Sequence, residues 1–348
     1  MSPEPASEAR HRRHLISDSA DAFCADRDDN CPVHHDRLQL VLLGVIAVAA
    51  GSSAAASSDT ALDARKAQAI RGSILLASDH GIYRRYPNGT LKQVTTSPND
   101  YFPAWSRDGT QIAFVRYPTD VRERYCRLFV VHGDGQGLRQ VGDVKTDCSR
   151  AGWGPGDRQL VFGGAPPGGN HATLWVVNID GSGLRLVFRG RGANPQGAHP
   201  SWSPNGRTIV FGWTASHVNG LLAIRPDGSG VHALVKPRPN HFDVFTQPTW
   251  SRDGKRLVFV HVDFDTTGPT RKIVTASARG RHRHTLARLP LNPGQMGVPS
   301  WSPNGSLVAF SGVCGRQGCV WTIPSRGGKR QVLMRGLFAQ ATWGPAGT

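Results

Sequence analysis

Six residues stand out as able to do chemistry, and they occupy related places in the chain. Arg150, His199, Gln247 and Gln340 each lie three residues before a tryptophan, and His241 and Asp243 lie just ahead of Gln247. Imidazole, carboxamide and carboxylate groups can ligate a divalent ion. The same groups beside a guanidinium make a polar rim suited to holding a partner. As a metal set, His199, His241 and Gln247 would be partial. The plainer alternative is a set of hydrated side chains.

The usual enzyme signatures are absent from the sequence. It has no G-x-S-x-G nucleophile elbow and no H-E-x-x-H metal helix. No glycine-rich loop follows a strand and opens a helix, because the glycines fall in hairpin turns. Asp227-Gly228-Ser229-Gly230 resembles a fragment of a calcium loop but lacks the acidic ligands that should follow, so it reads as a turn. No resident metal and no cofactor are expected.

A repeat defines the positions of those six residues. PAWSRDGTQIAFVR begins at Pro103, AGWGPGDRQLVFGG at Ala151, PSWSPNGRTIVFGW at Pro200, PTWSRDGKRLVFVH at Pro248 and PSWSPNGSLVAFSG at Pro299. A sixth copy, ATWGPAGT, begins at Ala341. The repeated tryptophans are Trp105, Trp153, Trp202, Trp250, Trp301 and Trp343, at spacings of 48, 49, 48, 51 and 42 residues. A strand-built period of roughly 40–50 residues is the size of one four-stranded propeller blade. In each unit a short strand ends at the tryptophan, and an Asp/Asn-Gly type of turn follows. Next come a nearly continuous apolar strand, a third strand, a second glycine turn and an amphipathic outer strand. The abundant Gly (41) and Pro (24) fit many short strands and tight turns.

The sixth copy carries only a first strand and its turn. Residues 73–95, SILLASDHGIYRRYPNGTLKQVT, read as the second, third and fourth strands of a blade that lacks its first. Pairing 341–348 with 73–95 completes six blades and removes the free edges of an open ring. The prediction is an all-β, six-bladed β-propeller of four-stranded blades, closed by the C-terminal strand pairing with the N-terminal strands.

The pattern P-x-W-S-P-[DN]-G-x-x-[IL]-[AV]-F, followed by a D-G-S-G turn, resembles the TolB-like propeller repeat over about residues 72–348. The same repeat occurs in the propeller domains of prolyl-oligopeptidase-type enzymes, here without a hydrolase partner. The second copy departs, with Gly154-Pro155-Gly156-Asp157 for the usual turn, and so does the second turn of the fourth, residues 278–282. The resemblance implies a channel at the ring centre. The positions three before each tryptophan, Phe102, Arg150, His199, Gln247, Val298 and Gln340, should lie where the first strands enter it. Some propeller lyases gather His and Gln ligands at such a mouth. TolB itself carries an extra N-terminal domain, for which residues 59–71 are too few.

Residues 38–50, LQLVLLGVIAVAA, form a 13-residue apolar run followed by a small-residue stretch with Ala54-Ala55-Ala56. That length suits a signal-peptide core, and residues 38–56 read as a signal peptide or a membrane anchor. Residues 1–37 are then a polar tail or a miscalled start, and 57–71 a linker before the propeller at 72–348. Beyond the apolar run lie Cys126, Cys148, Cys314 and Cys319. Expected pairs are Cys126–Cys148 and Cys314–Cys319, in keeping with an exported protein. Free thiols are the alternative, and a four-cysteine zinc site lacks C-x-x-C spacing.

The net charge is +16, and residues 57–348 carry +19 of charge against −3 in residues 1–56. A basic body suits an anionic partner, although the arginines are spread over every repeat. The expected partner is a protein or an anionic envelope polymer outside the membrane. Nucleic acid is not expected, and membrane association is open through residues 38–56. The functional expectation is an extracytoplasmic binding or scaffold propeller without catalysis, secreted or membrane-anchored. The alternatives are a lyase or hydrolase acting on acidic saccharide at the channel mouth and a membrane-anchored sensor.

Overall fold

The computed structural model describes residues 72–348, except 121, 124, 165–172, 191–197, 216–217, 240, 242, 266–267, 291–297, 315–316 and 337–339. The readings made on residues 1–37, 38–56 and 57–71 fall outside the described residues.

The chain folds into six four-stranded antiparallel sheets. The first blade is Asp100–Trp105, Gln111–Arg116, Cys126–His132 and Arg139–Thr146, and the second is Gly152–Trp153, Gln159–Gly164, Thr173–Asn178 and Arg185–Arg189. The third is Ser201–Trp202, Ile209–Ala215, Val218–Ile224 and His232–Val235; the fourth is Asp243–Trp250, Arg256–Asp265, Gly268–Ser277 and His284–Pro290. The fifth is Ser300–Trp301, Leu307–Cys314, Gln317–Pro324 and Gln331–Arg335. In the sixth, Gln340–Trp343 pairs with Ile74–Ser78, which leads to Gly81–Arg85 and Leu91–Gln93. The predicted closure is therefore the observed one, with Ile74 opposite Trp343 and Leu76 opposite Ala341.

Local chemistry explains the repeated hairpin. Ser106, Ser203, Ser251 and Ser302 directly follow a repeated tryptophan. The hydroxyl of each accepts the backbone N–H of the residue five further on, at 2.9 Å in all four. Each also donates to the turn Asp or Asn, at 2.6 to 2.9 Å. A glycine with positive φ, such as Gly109 at 76°, then completes the turn. Gly154 and Gly344 replace the serine in the second and sixth blades. A Cβ at Gly154 would meet the Trp202 ring at 2.9 Å, and one at Gly344 would meet Trp105 Nε1 at 2.7 Å.

Each sheet is apolar on both faces, because it has a neighbour on both sides. In the fourth blade, Leu257 and Phe259 pack toward the third, while Val258, Val260 and Val262 pack toward the fifth. The period-two alternation of a strand thus divides one apolar run between two interfaces. The buried apolar residues form six clusters, and each cluster draws on two adjacent blades. Tryptophan indoles stitch the same junctions. Trp153 Nε1 donates to Ala104 O at 2.9 Å, Trp250 Nε1 to Ser201 O at 3.2 Å and Trp301 Nε1 to Thr249 O at 3.1 Å.

Both expected disulfides are present, with Cα–Cα distances of 5.0 Å for Cys126–Cys148 and 5.9 Å for Cys314–Cys319. The first ties the third strand of its blade to the connection that leads into the next. The second closes the hairpin end of the fifth blade.

Two expectations follow for stability. Trp343→Ala should cost about 3–5 kcal/mol in denaturant unfolding, the usual range for emptying a buried tryptophan site, and removing residues 341–348 should abolish cooperative unfolding. Breaking Cys126–Cys148 should cost about 3 kcal/mol and breaking Cys314–Cys319 about 2 kcal/mol, because the first closes the longer loop. Denaturant melts of paired Cys→Ser variants check that order.

Candidate functional site at the channel mouth

The first strand of each blade lies nearest the ring axis. Contacts between blades that are not neighbours must therefore cross that axis, and they occur at both ends of the first strands.

At the end where the first strands begin, four of the expected rim positions, Gln340, Phe102, His199 and Arg150, are linked by contacts. Gln340 Oε1 of the sixth blade accepts the Phe102 N–H of the first. The Phe102 and His199 rings meet edge to face, with centroids 5.1 Å apart, across the intervening second blade. His199 Nδ1 accepts the Arg150 N–H at 3.2 Å, so a neutral ring carries its proton on Nε2. Arg150 Nη2 reaches the fourth blade and donates to Pro248 O and Thr249 Oγ1, each at 3.0 Å. Val298, from the fifth blade, is buried.

These positions have unusual backbone. Phe102, His199 and Gln247 hold φ of 56°, 43° and 55°, in the left-handed region. Such conformations cost a non-glycine residue on the order of 1–3 kcal/mol and cluster at functional sites. In the first and fourth blades the ladder skips at this point, from Tyr101 to Ala104 and from Thr246 to Thr249. The bulges re-aim one side chain in each strand. Pro103 and Pro248 sit inside them, where no ladder N–H is needed.

A half-buried acid supports His199 from behind. The Asp147 carboxylate accepts Ser149 Oγ–H, the Ser149 N–H at 3.0 Å and the Ala198 N–H at 3.2 Å, and Ser149 Oγ accepts the His199 N–H at 3.3 Å. Burial pushes the Asp147 carboxyl above its ordinary range, against these hydrogen bonds. Only glycine fits at 163, because a Cβ there would lie 2.0 Å from an Asp147 oxygen.

Among the described residues, several polar groups at the mouth have no hydrogen-bond partner. Arg150 is 5% exposed and Gln247 1% exposed. Arg150 Nε, Thr246 Oγ1 and both polar atoms of the Gln247 carboxamide are buried without a hydrogen bond. Burial lowers the Arg150 guanidinium to about 10, which leaves it charged at neutral pH.

The opposite end of the axis is tied across. Arg107 of the first blade donates to Trp202 O, Ser203 O and Pro204 O of the third, at 2.7 to 3.2 Å. Arg252 of the fourth blade donates to Arg107 O at 2.6 Å, and the Asp157 carboxylate accepts the N–H groups of Arg107 and Asp108. Sequence reasoning missed these ties. The available signal was the turn position that reads Arg in the first and fourth copies and Pro in the others.

His241 and Asp243 stand apart from the rim network. His241 is exposed, and its N–H donates to Arg238 O at 3.2 Å. Asp243 is buried opposite Asp263 on the neighbouring strand. Arg238 pairs with both carboxylates, Lys272 Nζ with Asp263, and His261 Nε2 lies 2.9 Å from Asp243. Asp243, His261 and Asp263 are close enough together to hold a metal ion. However, Arg238 and Lys272 already balance the two carboxylates, so the cluster has no charge left for an ion to neutralise.

Residues 89–347 match the sequence profile of the TolB beta propeller domain. The chain belongs to that family. An uncharacterized protein of Agrobacterium fabrum is 27% identical over 163 residues, which are 46% of this chain and 53% of that protein. The chain thus matches about half the length of this curated relative. Among solved structures, TolB from Acinetobacter baumannii superposes with a TM-score of 0.64 at 17% identity, covering 79% of this chain and 67% of that one. A putative TolB from Agrobacterium tumefaciens gives 0.56 at 22% identity, over 67% and 83% of the two chains. An oligogalacturonate lyase in complex with manganese gives 0.50 at 16% identity, over 73% and 70%. These likenesses establish the fold.

The Asp243 cluster sets a pH dependence. Burial pushes the Asp243 carboxyl up, but hydrogen bonds from Arg238 and His261 outweigh it and hold the group well below the usual range. Burial also lowers the His261 imidazole, more than its carboxylate neighbours raise it. Below the ordinary imidazole value near ~6.5 the unfolded chain then takes up a proton first, so stability falls as pH drops below that value. Asp243 adds a second loss, beginning below the unfolded carboxylate value near ~4. Thermal melts from pH 8 to pH 3 should show both losses. His261→Gln should flatten the first and leave the second.

Proposed function

We propose that this protein is an extracytoplasmic binding or scaffold propeller that engages a protein or an anionic envelope polymer at the channel mouth, without catalysis of its own. The observation that carries this reading is the asymmetry of the axis. At one end Arg107, Arg252 and Asp157 link the blades through hydrogen bonds. The other presents left-handed backbone and polar groups with unused hydrogen-bonding capacity. A fold without a use for the mouth gains nothing from strain and unsatisfied groups gathered there. The two disulfides favour an oxidising compartment outside the cytoplasm.

The second reading is a lyase or hydrolase on acidic saccharide. Its support is the shared fold of the oligogalacturonate lyase and the placement of His199 at the mouth. A photo-crosslinking residue at Phe102 should capture a partner in the native host, while one at Arg207, on the turn face, should not. Purified protein should leave acidic polysaccharides unchanged. Turnover that disappears in His199→Ala would establish the enzyme reading, and cross-links confined to Arg207 would move the binding surface to the other face.

A further inference from the structure

We propose that the channel mouth holds a carboxylate, received by the Arg150 guanidinium and the Gln247 carboxamide. The inference rests on the mouth being the binding surface and specifies the chemistry of what enters it. Arg150 is a buried cation, and among the described residues no carboxylate lies within ion-pair distance of it. A buried unpaired charge is costly, and structures normally provide it with an acidic partner. Here Nη2 is held by Pro248 O and Thr249 Oγ1, which fixes the plane of the guanidinium, while Nε has no acceptor. Those two anchors directly follow Gln247 in the chain. Gln247 is held at a φ of 55° inside a bulge, and its Nε2 donor is equally unused.

The available groups determine the ligand class. One guanidinium and one amide N–H donor match a group with a single negative charge and two acceptor oxygens. A phosphate dianion would leave a charge unbalanced, and a metal cation would face the guanidinium. Two sources supply such a group, the free end of a peptide and the carboxyl of an acidic sugar.

Titration calorimetry of the full chain separates these. N-acetylglycine and D-glucuronate are the probes, and N-acetylglycinamide and D-glucose are their uncharged counterparts. At least one carboxylate should bind more tightly than its counterpart by about tenfold or more, the effect of one charge-assisted hydrogen bond. Preference for N-acetylglycine points to a peptide end, preference for glucuronate to an acidic sugar, and equal binding to the carboxylate alone. Arg150→Gln should erase the discrimination. Gln247→Met keeps the side-chain length and removes only an unpartnered carboxamide. It should weaken carboxylate binding while the melting temperature stays level or rises, which keeps the test open if Arg150→Gln does not fold. Equal binding of carboxylates and neutral counterparts, no binding of either, or full discrimination retained in both variants would overturn the proposal. Partner cross-links at Phe102 without carboxylate binding would sink the carboxylate and leave the mouth as the binding surface. The reverse pattern would separate the two in the other direction.

Discussion

Every blade has two apolar faces, and neither can be buried by the blade itself. Val210 packs toward the fourth blade while Ile209 and Phe211, on the same strand, pack toward the second. An isolated blade would leave one or both of these faces in water. An open row would leave one at each end, together with two unpaired strand edges. Closure into a ring is therefore the condition under which any blade is stable. The chain meets it by placing Gln340–Trp343 against Ile74–Ser78. The buried apolar residues accordingly form six clusters between blades.

That constraint also decides where variation is allowed. Residues facing a neighbouring blade are confined to apolar types of fitting volume, and those in the hairpin turns to types that supply the serine bond or positive φ. The axis is different. Six first strands converge there. The rim position reads Phe, Arg, His, Gln, Val and Gln around the ring. Where packing imposes no common residue, the side chains are free to be fitted to a ligand.

Much of this was legible in the sequence because packing repeats. The tryptophan spacing gave the blade period, the half-blade at residues 73–95 required closure, and the two cysteine pairs fell where hairpin and junction geometry allows a bridge. The rim was legible by its offset from the tryptophan. The backbone that shapes it was not, since a left-handed Gln247 leaves no composition signal. The ties from Arg107 and Arg252 join residues about one hundred or more positions apart, and nothing local marks them as partners. Asp243 read as a rim candidate for the same reason. The Arg238, His261, Asp263 and Lys272 that occupy it are assembled by strand register, which a single sequence does not display.

Asp243 and Gln247 make an informative contrast, because they lie four residues apart on one strand. The fold surrounds Asp243 with Arg238 and His261, so that the buried carboxylate is paired and hydrogen-bonded. It gives Asp147, at the junction behind the rim, three hydrogen bonds from Ser149 and Ala198. Gln247 receives neither, and among the described residues no other side chain has two buried polar atoms without partners. A chain able to satisfy two acids nearby had the means to satisfy one amide, or to replace it with an apolar residue at less cost. Among the described residues the carboxamide has no hydrogen-bond partner, and a carboxylate at the mouth would supply one. Arg150 is likewise positioned through Pro248 and Thr249, and among the described residues no carboxylate lies within ion-pair distance of it.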